Sequence, residues 1–351
     1  MIQSARLFQA GALAAAMVLP APSGAGPSPE LVRPEEWRAY AEAFLEPSGR
    51  IVDTGNGGIS HSEGQGYGML LAYLASMQAD FERIWSFTQA ELKVRDDGLV
   101  AWKWDPGAEP PVTDINNASD GEILIAYALA LAGADWGRPD YLEIASQMTT
   151  ALGDAVLDPR AYGLLLLPGV DGFSAEDRAD GPVVNLSYWV FEAFPVLAAL
   201  DPSNDWKAVS QTGETLVATT QIGARGLPPE WLSLADVPKS AEEFAPEFGY
   251  NALRIPLYLM RAGLHDQKTL SRFLKATDLG GGYALSDLAS GELVAVLEEP
   301  GYRAINALAG CILGRGSLPA DLSDFEPTHY YPSTLHLLVL SYARKEMPQC
   351  L

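Results

Sequence analysis

From position 34 onward the chain repeats one pattern, in which apolar residues recur at helical spacing and clusters of Gly, Pro, Asp and Asn interrupt them. The clearest case is Met69, Leu70, Tyr73, Leu74 and Met77, whose spacing lines one face of a helix. The same periodicity predicts helices over about 34–46, 64–78, 80–93, 119–133, 138–155, 185–200, 204–222, 247–263, 266–277, 302–313 and 330–344. Strand alternation is scarce, and β-branched runs such as 49–54 are short. With no clear linker between two halves, the pattern predicts one all-α domain whose helix pairs stack or close into a ring. Such a ring gathers its loops at one end, where chemistry tends to sit. No strict repeat of a known helical-repeat period is present. The segment 223–246, rich in Pro, Glu, Ala and Ser, reads as a long surface excursion with room for function.

The N-terminal stretch is of another kind. Arg6 precedes a run over 7–19 that is apolar except for Gln9, and the small residues Ser23, Gly24 and Ala25 follow. Positive, apolar, small is the layout of a secretory signal peptide. Residues 1–25 are therefore expected to be a signal peptide and 26–351 the mature chain, in the periplasm or outside the cell. The apolar run is shorter than the ~20 residues of a spanning helix, and no stable membrane insertion is expected. In an oxidising compartment Cys311 and Cys350 can pair; two separate thiols are the other reading, and both stay open here.

Composition narrows the function. The length of 351 residues suits one large domain or two ordinary ones, and 48% hydrophobic with 19% charged residues excludes a disordered or collagen-like chain. With 23 Lys and Arg against 45 Asp and Glu, the formal charge of −22 repels nucleic acid and anionic membranes. Two cysteines cannot build a zinc ribbon or a disulfide-dense framework. The GxSxG, GxxxxGK[ST] and HExxH motifs are missing, and GQGYGM has Met69 where a dinucleotide loop needs its third glycine. The histidines at 61, 265, 329 and 336 are expected at the surface or at helix ends, so no metal centre or cofactor is anticipated.

Two carboxylate-bearing segments remain. SHSEGQGYGMLLAYL (60–74) sets Glu63 before an amphipathic helix, and NNASDGEILIAYALALAG (116–133) opens another helix with Asp120. The ordinary explanation is capping, since Ser60/Glu63 and Ser119/Glu122 both have S-x-x-E spacing. Against it stands the glycine density around Glu63, which gives a ligand room for close approach. Glycoside hydrolysis needs one protonated carboxyl and a second as base or nucleophile. A helix N-terminus lowers a carboxyl pKa, whereas a neighbouring carboxylate such as Asp120 raises it if the fold brings the two together. Tyr67, Trp102, Trp104, Tyr188, Trp189 and Trp231 are available to stack on sugar rings, although each equally suits a core.

At these residues the sequence resembles glycoside hydrolase family 8, which includes bacterial endoglucanases associated with cellulose synthesis. The likeness runs through GRIVDTGNGGISHSEGQGYGMLLA (49–72), ASDGEILIAYAL (118–129), NLSYWVFEAF (185–194), GLPPEWL (226–232), FGYNALRIPLYL (248–259) and YYPSTLHLLVLSYA (330–343). It implies a single-domain (α/α)6 barrel with a glucan cleft across its loop end, cleaving β-1,4 linkages with inversion. By resemblance Glu63 is the proton donor, and Asp120 distorts the sugar and stabilises charge. Tyr67, Trp104, Tyr188, Asn251 and Arg254 are the expected substrate-binding side chains. One departure stands out: Asn251 occupies the place where many members carry the Asp that serves as general base. An amide positions water but takes no proton near neutral pH, so Glu247, Glu243 and Glu242 are the candidate bases. The expected partner is a β-glucan, with a cellulose synthase complex as a further one. Xylan, mixed-linkage glucan and chitosan are alternative substrates, and a non-catalytic glucan-binding accessory is the alternative role.

Overall fold

The computed structural model describes residues 30–351. Twelve α-helices occur among them: α1 (Pro34–Phe44), α2 (Ser62–Leu74), α3 (Gln78–Phe87), α4 (Ser119–Asp135), α5 (Pro139–Val156), α6 (Phe194–Leu200), α7 (Trp206–Thr219), α8 (Arg254–Arg261), α9 (Gln267–Thr277), α10 (Pro300–Ile312), α11 (Ala320–Ser323) and α12 (Tyr330–Glu346). The even-numbered helices form an inner ring. In it α2 packs on α4, α4 on α6, α8 on α10, α10 on α12, and α12 returns to α2; the 3-10 turn Leu186–Tyr188 connects α4 with α8. Each odd-numbered helix lies outside, against an inner one. The ring expected from the sequence is thus a closed (α/α)6 barrel.

The two rings differ in sequence as burial demands. Helix α4 is apolar on nearly all sides and buries Ile123, Leu124, Ile125, Leu129 and Ala132, as a helix enclosed by neighbours must. The outer helix α9 buries Leu270, Phe273 and Leu274 while exposing Lys268 and Lys275. One core joins both rings and includes Tyr67, Leu70, Leu124, Tyr258 and Leu338.

Several expectations change. The helix read over 185–200 shrinks to Phe194–Leu200, with Pro195 in its first turn, because proline lacks the N–H that a longer helix would use there. That read over 247–263 starts at Arg254, since Glu247 and Phe248 pair as a strand with Asp287 and Ser286. The same sheet holds the hairpin Tyr283–Asp287/Leu293–Leu297. Its second strand keeps Leu293, Val294 and Val296 exposed, which erases the alternation that marks a strand. The excursion 223–246 is pinned by Leu232–Ser233, paired between Val183–Val184 and Lys239–Ser240. His61 and His329 stand at helix N-termini, whereas His336 is buried in α12 with Nε2 donating to the Leu322 carbonyl.

Cys311 and Cys350 form a disulfide with Cα atoms 5.8 Å apart, joining the end of α10 to the C-terminal turn Pro348–Cys350. The signal-peptide expectation, 1–25, lies outside the described residues. Among the described residues no helix is long and apolar enough to cross a membrane.

Candidate active site

Glu63 and Asp120 each sit in the first turn of an inner helix, α2 and α4, and these two helices are neighbours. Neither belongs to a capping box. The cap of α2 is His61, whose Nδ1 accepts from the Gly64 N–H at 2.9 Å, while Ser60 Oγ donates to the Ile51 carbonyl. A backbone N–H can only donate, so Nδ1 is unprotonated and the proton lies on Nε2, which faces Asp53 at 3.3 Å. On α4, Ser119 Oγ is buried without a partner, and Glu122 instead accepts from the Val100 N–H and Asn117 Nδ2. Capping, the ordinary explanation for both segments, is thereby set aside.

The glycines also do something other than admit a ligand. A Cβ at Gly66 would lie 2.6 Å from Leu124 Cβ, and one at Gly121 would lie 2.1 Å from Ser62 Oγ and 2.8 Å from the Glu63 backbone N. Their missing side chains let α2 and α4 touch backbone to backbone, which brings Glu63 and Asp120 together.

Arg254, at the start of α8, joins them. Its Nη1 donates to Glu63 Oε2 and, at 3.2 Å, to Asp120 Oδ2; its Nη2 donates to Ser187 Oγ at 3.0 Å and to Asn251 Oδ1 at 3.3 Å. The Arg254 side chain is fully buried and that of Asp120 only 2% exposed, whereas Glu63 keeps 16%. Burial pushes Asp120 up to about 7; the Arg254 charge opposes this, and the charge and hydrogen bond of Glu63 add to it. Two close carboxylates resist ionising together, and Arg254 stands opposite both.

Glu63 and Asp120 face a cleft of about 1010 Å³, with Arg254 buried behind them. Trp102, Tyr188, Trp231 and Asn251 line it as well. Along one wall Phe173 stacks on Trp231 with ring centres 5.4 Å apart, and Phe244 stacks on Trp231 at 4.6 Å. Tyr250, Tyr302 and Tyr331 line the cleft too, in mutual contact. Flat aromatic faces suit pyranose rings.

Other expected residues lie elsewhere. Tyr67 is fully buried, its hydroxyl bonded to that of Tyr258, and Trp189 is a core residue whose Nε1 donates to the Val209 carbonyl. Trp104 is half-buried outside the cleft wall; its Nε1 donates to Glu91, and Arg50 lies over its ring. Of the candidate bases, Glu242 is exposed and paired with Lys239, Glu243 is exposed 3.7 Å from Arg178, and Glu247 is half-buried in its strand. None of the three lines the cleft. Sequence reasoning passed over Glu230, whose Oε1 accepts from both the backbone N–H and the side-chain amide of Asn251. Its signal was the lone carboxylate of GLPPEWL beside Trp231; a sequence separation of 21 from Asn251 concealed the pairing.

Comparison with known proteins gives the family and the fold. The family described as glycosyl hydrolases family 8 matches residues 12–345. A curated relative from Novacetimonas hansenii, described as "Probable endoglucanase", is 37% identical over 323 residues, covering 90% of this chain and 92% of its own. The solved endo-β-1,4-glucanase CMCax from Acetobacter xylinum is 34% identical with a TM-score of 0.79, over 89% of this chain and 98% of its own. An endoglucanase structure from Komagataeibacter sucrofermentans is 36% identical with a TM-score of 0.77, over 89% and 97% respectively. The chain belongs to glycosyl hydrolase family 8.

Proposed function

We propose that this chain is an exported endo-1,4-β-glucanase that inverts the anomeric carbon. The observation that carries the reading is the Glu63–Asp120–Arg254 cluster facing a cleft walled by aromatic rings. A glucan lies along the rings, and Glu63, the more exposed of the two carboxyls, donates a proton to the departing glycosidic oxygen. Asp120, fixed by Arg254 and by the Gly121 N–H at 2.8 Å, keeps negative charge near the oxocarbenium-like centre. Tyr188, Trp231 and Asn251 position the sugar and the attacking water. The endoglucanase names of relatives covering nine-tenths of the chain support β-1,4-glucan over xylan, mixed-linkage glucan or chitosan.

Export is supported by the charge, apolar and small-residue order of 1–25, and by the disulfide, which oxidising compartments favour. In the periplasm or outside the cell, a glucan chain and the machinery that makes it are the natural partners. A second reading, a glucan-binding accessory without catalysis, is motivated by Asn251 standing where many relatives carry a base.

Reducing-end release from carboxymethylcellulose by the mature chain, beside Glu63→Gln, tests the proposal. Cleavage by the wild type with a loss of about 10²–10⁴-fold in the variant is expected, with the α-anomer of the new reducing end seen first by NMR. A wild type that binds cello-oligosaccharides and releases no reducing ends would establish the accessory role instead.

A further inference from the structure

Asn251 at the cleft cannot take the proton of the attacking water, and of the other carboxylates lining the cleft besides Glu63 and Asp120, namely Asp53, Asp114 and Glu299, Asp53 faces His61 and Asp114 accepts from Trp102 Nε1. Three observations converge on one carboxylate. Glu230 Oε1 receives both N–H donors of Asn251, the backbone one at 3.3 Å. Asn251 Oδ1 is taken by Arg254 Nη2 at 3.3 Å, so the amide is clamped between the Glu63/Asp120 cluster and Glu230. Glu230 does not itself line the cleft but stands directly behind two residues that do, Asn251 and Trp231, and is held there by its backbone N–H donating to the Glu247 carbonyl at 2.7 Å.

Gly249 completes the geometry. A Cβ there would lie 2.1 Å from Glu230 Oε2 and 3.8 Å from Glu247 Oε2; the bare backbone leaves space for the Glu230 carboxylate beside Asn251. Burial raises the Glu230 pKa, while Asn251 and Arg254 pull it down and the Glu247 charge adds to the rise, so the carboxylate is a stronger base than a free glutamate.

We propose that Glu230, aligned by Asn251, is the general base of this enzyme. The inference rests on the inverting-glucanase reading. Asn251 holds the water; as the water oxygen bonds to the anomeric carbon, one of its O–H bonds breaks and that proton passes to the Glu230 carboxylate. The glycosidic C–O bond breaks on the opposite face, and the departing oxygen takes the proton from Glu63. Afterwards Glu230 loses its proton to solvent and Glu63 regains one, so the cycle balances.

The test compares kcat and KM on cellopentaose for wild type, Glu230→Gln, Glu230→Ala and Glu247→Gln, with thermal unfolding and binding of cellopentaose to each variant. Glu230→Gln should lose about 10²–10⁴-fold in kcat with KM and cellopentaose binding kept. Azide needs no base, so it should restore turnover in Glu230→Ala and yield an α-glycosyl azide. If Glu230→Gln turns over within about threefold of wild type, or Glu247→Gln is the inactive variant, the proposal is overturned. The same holds if folded Glu230→Ala is inert and azide does not rescue it. Should the wild type not cleave glucan at all, it is the glucanase reading that fails.

Discussion

Arg254 is the residue on which the chemistry of the site turns. Fully buried, it has no water to stabilise its charge and depends on Glu63, Asp120, Ser187 and Asn251. Removing one partner of a buried ion cluster costs more than the pair contributes when intact. Arg254→Met should therefore lower unfolding stability by about 3–5 kcal/mol and abolish cleavage, as denaturant melts and reducing-sugar assays would show. Glu63 and Asp120 act on each other through charge, and burial together with the Glu63 charge holds Asp120 up to about 7. Glu63→Gln should therefore lower the Asp120 pKa, read by NMR titration of its carboxyl carbon, and an unmoved value would mean that the two carboxyls are not electrostatically linked.

At the scale of elements, the contact of α2 with α4 sets the acid in place. Since a Cβ at position 121 would collide with the Glu63 backbone, Gly121→Ala should cost about 1–3 kcal/mol through overpacking and also lower kcat by displacing Glu63. A substitution that only lowered stability would separate packing from positioning. The start of α2 offers a milder perturbation. His61→Ala removes the acceptor for the Gly64 N–H and should cost about 1 kcal/mol, measured as a shift in the denaturant midpoint. Two glycines and a histidine cap thus carry the geometry that S-x-x-E spacing suggested belonged to serines.

Across the whole molecule, buried acids and the disulfide govern stability. Burial holds Glu122 up to about 8, against the Asn117 and Val100 hydrogen bonds, and holds Asp120 up to about 7. Both values exceed those of an unfolded chain, so the folded state binds more protons between about pH 4.5 and 8, and stability falls as pH rises through that window. Asp97, Asp180 and Asp201 are lowered instead, and their contribution is lost only in stronger acid. The unfolding free energy from urea melts should accordingly be higher at pH 5.5 than at pH 8.5, by an amount on the order of a few kcal/mol. Reduction of the Cys311–Cys350 bond, which closes a 39-residue separation, should cost about 2–4 kcal/mol, read from melts with and without reductant. The sequence by itself determined the number and placement of most helices, because an enclosed barrel needs apolar periodicity in every helix and that periodicity is local. It also marked Glu63 and Asp120, whose motifs are contiguous. It could not show that Glu230 meets Asn251, that Tyr67 turns into the core, or that Trp231 reaches the cleft while Trp104 does not. Those outcomes depend on which helices and loops meet across the ring, and only the tertiary structure decides such long-range contacts, because each joins segments whose own spacing carries no record of the other.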